Sequence, residues 1–288
     1  MDSRYAAFFG EVNSLKRFAL IVLAFLVFLA LPVERPAPVL AQAAPAASQS
    51  APVTPSNTAR KSETAPDVAL PTADSVIARY VRALGGEAVL KKVTSRVLKG
   101  TFEVPSQNVT GEAEVVMAAP DRFYSLVKLS DEVRFIQAFD GKAGWSYDPQ
   151  RGLRDLAGAE LEQMRRSSQF EYELRFRELF PESRVINRVS EGARTAWVLE
   201  ATPAGAPAEK FYFDTETGLL LRHDSVQAGF EGDVAIVHRY SDYASFDGVQ
   251  VPTVLKHTDP QVEWQVKFTD VHNNVPVDQS KFTKPAAQ

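Results

Sequence analysis

The side chains best suited to chemistry in this chain are four histidines, His223, His238, His257 and His272. No two of them have the i, i+4 spacing of a helical zinc site, and no H-E-x-x-H pattern occurs. His223 and His238 could converge with Asp224 as an acid–base set. Histidines in strands are more often surface or internally satisfied residues, so this set alone predicts no reaction.

Other common reaction centres are missing from the sequence. There are no cysteines, which excludes disulfides, thiolate metal sites, cysteine nucleophiles and a lipoprotein acylation signal. No G-x-S-x-G nucleophile turn occurs. The glycines Gly85-Gly86 follow a predicted helix, whereas a phosphate-binding loop opens one. We therefore expect no catalytic residues, no metal and no cofactor.

The charge of the chain argues against a nucleic-acid partner. The formal net charge is −4 over 288 residues, and the lysines and arginines are scattered. Phosphate binding requires a concentrated basic face. We expect a monomer whose functional surface is apolar.

The stretch Glu209–His223 consists of two short apolar runs joined by Asp-Thr-Glu-Thr-Gly. Aromatic and branched residues favour strands, and the Asp and Gly of the joint suit a tight turn, so the stretch predicts a β-hairpin. From about residue 95 the same alternation of apolar and polar residues recurs. It predicts an antiparallel meander with one apolar face.

Two helical segments accompany the predicted strands. Thr72 is a good N-cap for a helix whose apolar residues recur up to Leu84. A helical insertion is predicted between Gly158 and Glu182, with Arg165, Arg166, Glu173 and Arg175 facing water. The fold class is mainly β (α+β). We expect about 10–11 strands that curl into an open half-barrel, with helices covering the concave face.

The first part of the chain has a different composition. Lys16-Arg17 precede an apolar run from Phe18 to Val33, and small residues follow. This layout predicts a signal peptide over residues 1–43, cleaved after Ala41 or Ala43. An uncleaved membrane anchor is the alternative. Residues 44–70, rich in Ala, Pro, Ser and Thr, predict a disordered linker, and residues 71–288 the folded domain.

Three phrases of the folded domain resemble a known family, that of outer-membrane lipoprotein-sorting proteins with the LolA-like fold. They are Phe139-Asp140-Gly141-x-x-x-Trp145, Phe211-x-Phe213-Asp214-x-x-Thr217-Gly218-Leu219 and Tyr243-x-x-x-Asp247-Gly248-x-x-x-Pro252, and the closing Phe282-x-x-Pro285 also fits. The resemblance covers residues 73 to 285. It implies an unclosed barrel with a helical lid that holds acyl chains.

The resemblance implies a periplasmic protein that binds lipid or acylated lipoprotein, with transport to the outer membrane and an envelope membrane receptor as further expectations. The apolar cleft candidates are Phe102, Phe123, Phe135, Trp197, Phe211, Phe213, Trp264 and Phe268. The lid candidates are Leu161, Met164, Tyr172 and Phe176. Each of these residues could also be ordinary core.

Two alternative functions remain open at the level of sequence. A membrane-tethered interaction or sensor module with a filled core would suit an uncleaved N-terminal segment and a long linker. An uncharacterised hydrolase would need polar groups that converge in the cleft, and the sequence offers no positive sign of them.

Overall fold

The computed structural model describes residues 69–229 and 232–286. The predicted signal peptide lies outside the described residues, as does the predicted linker up to residue 68. None of the helices within the described ranges is long and apolar enough to cross a membrane.

The described residues contain four α-helices and two 3₁₀ turns. The first helix starts as predicted, because the Thr72 hydroxyl accepts a hydrogen bond from the backbone N–H of Ser75. It ends at Gly85 and Gly86, which both have positive φ. The helices are α1 Ala73–Ala83, α2 Glu87–Leu90, α3 Gly158–Ser167 and α4 Phe176–Leu179, and the 3₁₀ turns are Pro105–Gln107 and Gln279–Phe282.

The described strands all belong to one antiparallel sheet. They are β1 Ser95–Val104, β2 Val109–Ala118, β3 Arg122–Lys128, β4 Arg134–Phe139, β5 Gly144–Asp148, β6 Gly152–Asp155, β7 Glu182–Glu191, β8 Arg194–Thr202, β9 Glu209–Asp214, β10 Leu220–Gly229, β11 Gly232–Phe246, β12 Val249–Thr258 and β13 Glu263–Asn273.

The order of strands explains how the chain encloses its interior. The sheet reads β6-β5-β4-β3-β2-β1-β13-β12-β11-β10-β9-β8-β7, so the first and last strands pair at its centre. The two edges are β6 and β7, which follow each other in sequence. The segment between them, residues 156–181, must therefore travel from one edge of the sheet to the other. The sheet is not closed into a barrel, and this segment, the crossing segment, spans the gap.

One face of the sheet, the inner face, carries the helices. Phe211 and Phe213 of β9 pack against Ile77 and Tyr80 of α1 and against Phe176 of α4. The opposite face of β2–β5 is covered by the C-terminal residues, where the Trp145 indole N–H donates to the carbonyl of Phe282 at 3.0 Å.

The predicted fold class is confirmed, with two differences in detail. Thirteen strands are described, against about 10–11 expected, partly because the four residues of β6 lack any apolar alternation. The insertion contains two helices separated by turns. After α3, the backbone N–H of Phe170 donates to the carbonyl of Pro120 at 2.9 Å, so the chain leaves the helical path there.

Candidate functional site

The eight predicted cleft residues lie in three clusters of the interior. Phe102 and Phe135 are 0% and 1% exposed, so the inner face is filled by side chains in this conformation. The first cluster, beneath α1 and α4, contains Trp197, Phe211 and Phe213. The second, along β1 and β13, contains Phe102, Phe135, Trp264 and Phe268. The third contains Phe123, which lies beside α3.

The four predicted lid residues all lie on the crossing segment and touch the inner face. Leu161 and Met164 pack on the cluster of Phe139 and Leu156, in the first half of the sheet. Phe176 lies edge-on to Phe211 in the second half, with ring centroids 5.1 Å apart, and Tyr172 lies edge-on to Phe176. The crossing segment therefore contacts the sheet on both sides of its centre.

Three histidines form a row across the inner face, called the histidine row below. His223 of β10 pairs in register with His238 of β11, which pairs with His257 of β12. Phe211 and Trp264 stand at the two ends, each stacked on the neighbouring imidazole with centroids 4.2 and 4.6 Å apart. The register of neighbouring strands thus places residues that are far apart in sequence next to one another.

Asp259 fixes the proton positions at one end of the row. Its Oδ1 accepts from the backbone N–H groups of Gln261 and Val262 at 2.7 and 2.8 Å, and its Oδ2 lies 3.1 Å from His257 Nε2. Burial alone would raise the pKa of Asp259, but the His257 and backbone hydrogen bonds lower it. The carboxylate therefore accepts the His257 Nε2 proton.

His238 is the middle member of the row. Its Nε2 lies 3.0 Å from His257 Nδ1, so the two imidazoles share one hydrogen bond. Burial, and then repulsion from His257 and His223, holds the pKa of His238 well below its usual range.

The other end of the row is joined to the crossing segment. Glu209 accepts from Arg166 of α3 at 2.9 Å and contacts His223 Nε2 at 2.7 Å. Glu209 is 6% exposed, so this is a buried ion pair between the crossing segment and the sheet.

The predicted acid–base set does not form as expected. Asp224 lies on the opposite face from His223, where it binds Arg222 at 2.6 Å and the Tyr212 hydroxyl at 2.9 Å. Burial and this hydrogen bond raise the pKa of Tyr212 to about 12. His272 is an exposed residue paired with Asp270. Within the described ranges, no three His, Asp or Glu side chains are arranged to hold a metal ion.

Polar side chains border the aromatic cluster formed by Phe176, Phe180, Phe211 and Phe213. Burial raises the pKa values of Tyr172, Glu173 and Tyr240, so these groups lie deep in the protein. All three side chains nevertheless keep part of their area accessible. Tyr172 and Tyr240 also pack against the aromatic cluster, so the polar ends of these side chains border an otherwise apolar interior.

Sequence reasoning placed Arg166 and Glu173 in water, and the structure corrects both. Arg166 turns inward to Glu209, and Glu173 lines the interior. Glu173 follows the break after α3, which changes the residues that face inward, whereas Arg166 lies in the last turn of α3 itself. Glu209 was missed although a signal existed, because it alternates with Phe211 and Phe213 and must share their face.

A shallow surface depression lies away from all twelve predicted site residues. It has a volume of about 460 Å³ and is lined by Pro181, Glu182 and the loop from Thr202 to Pro207. Its walls come from the β7 edge of the sheet and the loop after β8.

Comparison with solved structures bears on the fold. A crystal structure of a DUF1329 family protein from Desulfovibrio piger matches with a TM-score of 0.51 at 12% identity, over 73% of this chain and 96% of that chain. A LolA superfamily protein from Nitrosomonas europaea matches with a TM-score of 0.50 at 13% identity, over 74% of this chain and 98% of that chain. The protein has a LolA-like fold.

The LolA-like fold confirms the resemblance seen in the sequence phrases, at the level of architecture. Identities of 12% and 13% show the fold alone. No protein-family model matches the chain, and no curated protein matches it. The function must therefore be argued from the interior of this LolA-like fold.

Proposed function

We propose that this protein is a periplasmic binding protein that holds acyl chains of a lipid or lipoprotein between the inner face of the sheet and the crossing segment. The observation that carries the proposal is the path of residues 156–181 from edge strand β6 to edge strand β7. This segment contacts the sheet through apolar side chains such as Met164 and Phe176.

The binding energy comes from the apolar interior. Removing an acyl chain from water contributes about 0.8 kcal/mol per CH₂ group. Since side chains fill the inner face in the present conformation, the crossing segment must move outward so that the acyl chain enters between the sheet and side chains such as Met164 and Phe176. Release then needs only the reverse movement, without any reaction.

The same proposal implies that the protein is located in the periplasm. A carrier of acyl chains works between two membranes, and the basic and apolar leader of residues 1–43 suits export to the periplasm. Transport to the outer membrane and delivery to a membrane receptor belong to the proposal. Retention of the leader as an anchor is the alternative.

The first test is native mass spectrometry of the full chain expressed with its leader and purified from the periplasm, followed by solvent extraction. Bound lipid or acylated peptide is expected. Uptake of a fluorescent fatty acid is then compared between Phe176→Gln and Arg177→Gln, which place the same residue on neighbouring positions of α4. Phe176 is 2% exposed and Arg177 faces solvent, so only the first change should weaken uptake, by about tenfold or more.

A clean apo mass with no uptake of fatty acid would contradict the carrier. The second candidate, an interaction module with a filled core, would then take first place. One observation favours it, namely that Phe102, Phe135 and Phe213 are all 0–1% exposed. A module of this kind would bind its partner on the outer surface and leave the interior closed.

A further inference from the structure

The two halves of the sheet differ on their outer face, which is the face opposite the helices. In the second half this face carries charged side chains, among them Lys210, Arg222, Asp224 and Arg239. In the first half the outward side chains of β3 to β6 are mostly apolar and belong to the cluster that the C-terminal residues cover. A sheet face exposed to water is normally polar, so the first half calls for a reason.

Four apolar side chains form a row across the outer face of β3 to β6, called the outer row below. Leu126 pairs in register with Ile136, Ile136 with Tyr147, and Tyr147 with Leu153. The neighbouring Trp145 is buried beside the C-terminal residues, whereas all four members of the outer row are half-buried. The outer row is therefore a continuous apolar stripe that keeps part of its area accessible.

An arginine stands beside the outer row. Arg134 of β4 is exposed, and its guanidinium carbon lies 5.7 Å from the centroid of the Tyr147 ring. No carboxylate of the described residues forms an ion pair with Arg134, since the nearby Asp131 is paired with Lys128 at 2.6 Å. The acidic residues of β2 lie beyond the Leu126 end of the row. Arginine and tyrosine both combine an apolar body with a polar tip, which suits the boundary between lipid and water.

The shape of this face argues against a second copy of the chain as its partner. The sheet curls around its inner face, so the outer face is convex, and two convex faces touch only along a narrow strip. Stable protein interfaces use about 20–30 residues per side, far more than the outer row offers. A lipid surface needs no matching shape, because it takes up apolar side chains one by one.

The position of the outer row also favours a lipid surface. The row ends at Leu153 of β6, one edge of the sheet, and the crossing segment begins directly after β6. Contact between the outer row and a membrane would therefore bring this edge next to the lipid. An acyl chain that enters beneath the crossing segment would then have only a short path through water.

We propose that the outer row docks the protein on a membrane surface that contains anionic lipid. Tyr147 and Leu153 insert at the level of the head groups, and Arg134 binds lipid phosphates. The proposal goes beyond acyl-chain binding, since it concerns the outer face and requires no opening of the interior.

The test uses the absence of cysteine from the chain. Leu153→Cys in the outer row and Val226→Cys on the outer face of β10 are each labelled with the environment-sensitive fluorophore NBD in the full chain. Val226 is 38% exposed, which makes it an accessible control outside the row. With vesicles of phosphatidylcholine and phosphatidylglycerol, the label at position 153 should brighten and shift to the blue, and the label at position 226 should not. Each label reports only its own surroundings, so binding through another part of the chain does not count.

Two variants of the protein labelled at position 153 separate the apolar from the ionic contribution. Tyr147→Gln should weaken binding to the vesicles by about fivefold or more, because less apolar area enters the lipid. Arg134→Gln should weaken it by about fivefold, and only when phosphatidylglycerol is present. The matched control is Arg188→Gln, which removes another exposed arginine over an aromatic ring, that of Trp197 at 5.6 Å, and should have no effect.

Several results would overturn the docking surface. The label at position 153 could fail to respond, the label at position 226 could respond equally, or Tyr147→Gln and Arg134→Gln could both bind as the wild type. Brightening that rises with protein concentration in the absence of vesicles would assign the outer row to a contact between two copies. Fatty-acid uptake by the unlabelled protein without vesicle docking refutes the outer row and keeps the carrier, and docking without uptake does the reverse. Thermal melting verifies that each variant is folded.

Discussion

At the scale of single residues, the inner face of the sheet carries more polar side chains than its many phenylalanines suggest. The histidine row, Glu209 and Arg96 of β1 all lie on the face that carries the aromatic clusters. Each of these polar groups is stable there because of a specific partner, such as Asp259 for His257 or Asn273 for Arg96.

His238 predicts a pH dependence of stability. Burial lowers its pKa well below the value of about 6.5 that holds in the unfolded chain. Between these two values the unfolded chain binds a proton that the folded protein does not, so the free energy of unfolding falls as pH falls. The contribution of His238 should decrease by about 1 kcal/mol between pH 7 and pH 5.5.

Urea unfolding of the wild type and His238→Gln at both pH values measures this contribution. The glutamine amide can still form a hydrogen bond with His257 but does not titrate. Burial raises the pKa of Glu173, so that group acts in the opposite direction, but it is present in both proteins and cancels in their difference. Identical changes of stability with pH in the two proteins would show that His238 is not the group responsible.

At the scale of elements, we expect the crossing segment to open before the sheet does. It consists of two short helices and turns, and only α3 reaches ten residues. Short helices and turns at the surface of a sheet open locally at a lower free energy than global unfolding. The sheet beneath it is held by pairing along every strand.

Local opening can be measured by thiol labelling, since the chain contains no cysteine. Met164→Cys on α3 and Val127→Cys on β3 replace residues that are 2% and 0% exposed. We expect Met164→Cys to react with a maleimide faster, at denaturant concentrations too low for global unfolding. Equal labelling rates at the two positions would mean that the crossing segment opens only when the whole domain unfolds.

At the scale of the whole molecule, one junction joins the two halves of the sheet. Strands β1 to β6 form one half and β7 to β13 the other, and β1 pairs with β13. Gly100 lies at a register shift of this pairing, and a Cβ there would meet the carbonyl oxygen of Lys267 at 2.0 Å. Only glycine allows the two strands to approach so closely.

Gly100→Ala should therefore destabilise the protein by about 3 kcal/mol or more, or prevent folding. Gly144→Ala is the matched control, because its Cβ would meet the flexible end of Leu156 at 2.7 Å and should cost about 1 kcal/mol. Unfolding is followed by tryptophan fluorescence and far-UV circular dichroism, which should coincide because the three tryptophans lie in β5, β8 and β13 of one sheet. If the Gly100→Ala protein is as stable as the wild type, the close approach of β1 and β13 does not require glycine.

The sequence by itself determined the local elements and their order. Alternation of apolar residues decides strand and face locally, and Thr72, Gly85 and Gly86 fix the ends of α1 by backbone chemistry. These signals act over a few residues, so they can be read directly from one sequence. The resemblance to the LolA-like fold rests on turn phrases of the same local kind.

Only the tertiary structure decided which polar side chains meet. The register of β10 with β11 and β12 unites His223, His238 and His257, and the path from β6 to β7 brings Arg166 to Glu209. Register is set by the packing of the whole sheet, and a shift of one residue would turn each of these side chains to the other face. No local pattern carries that information, because the interactions that fix it join residues far apart in sequence.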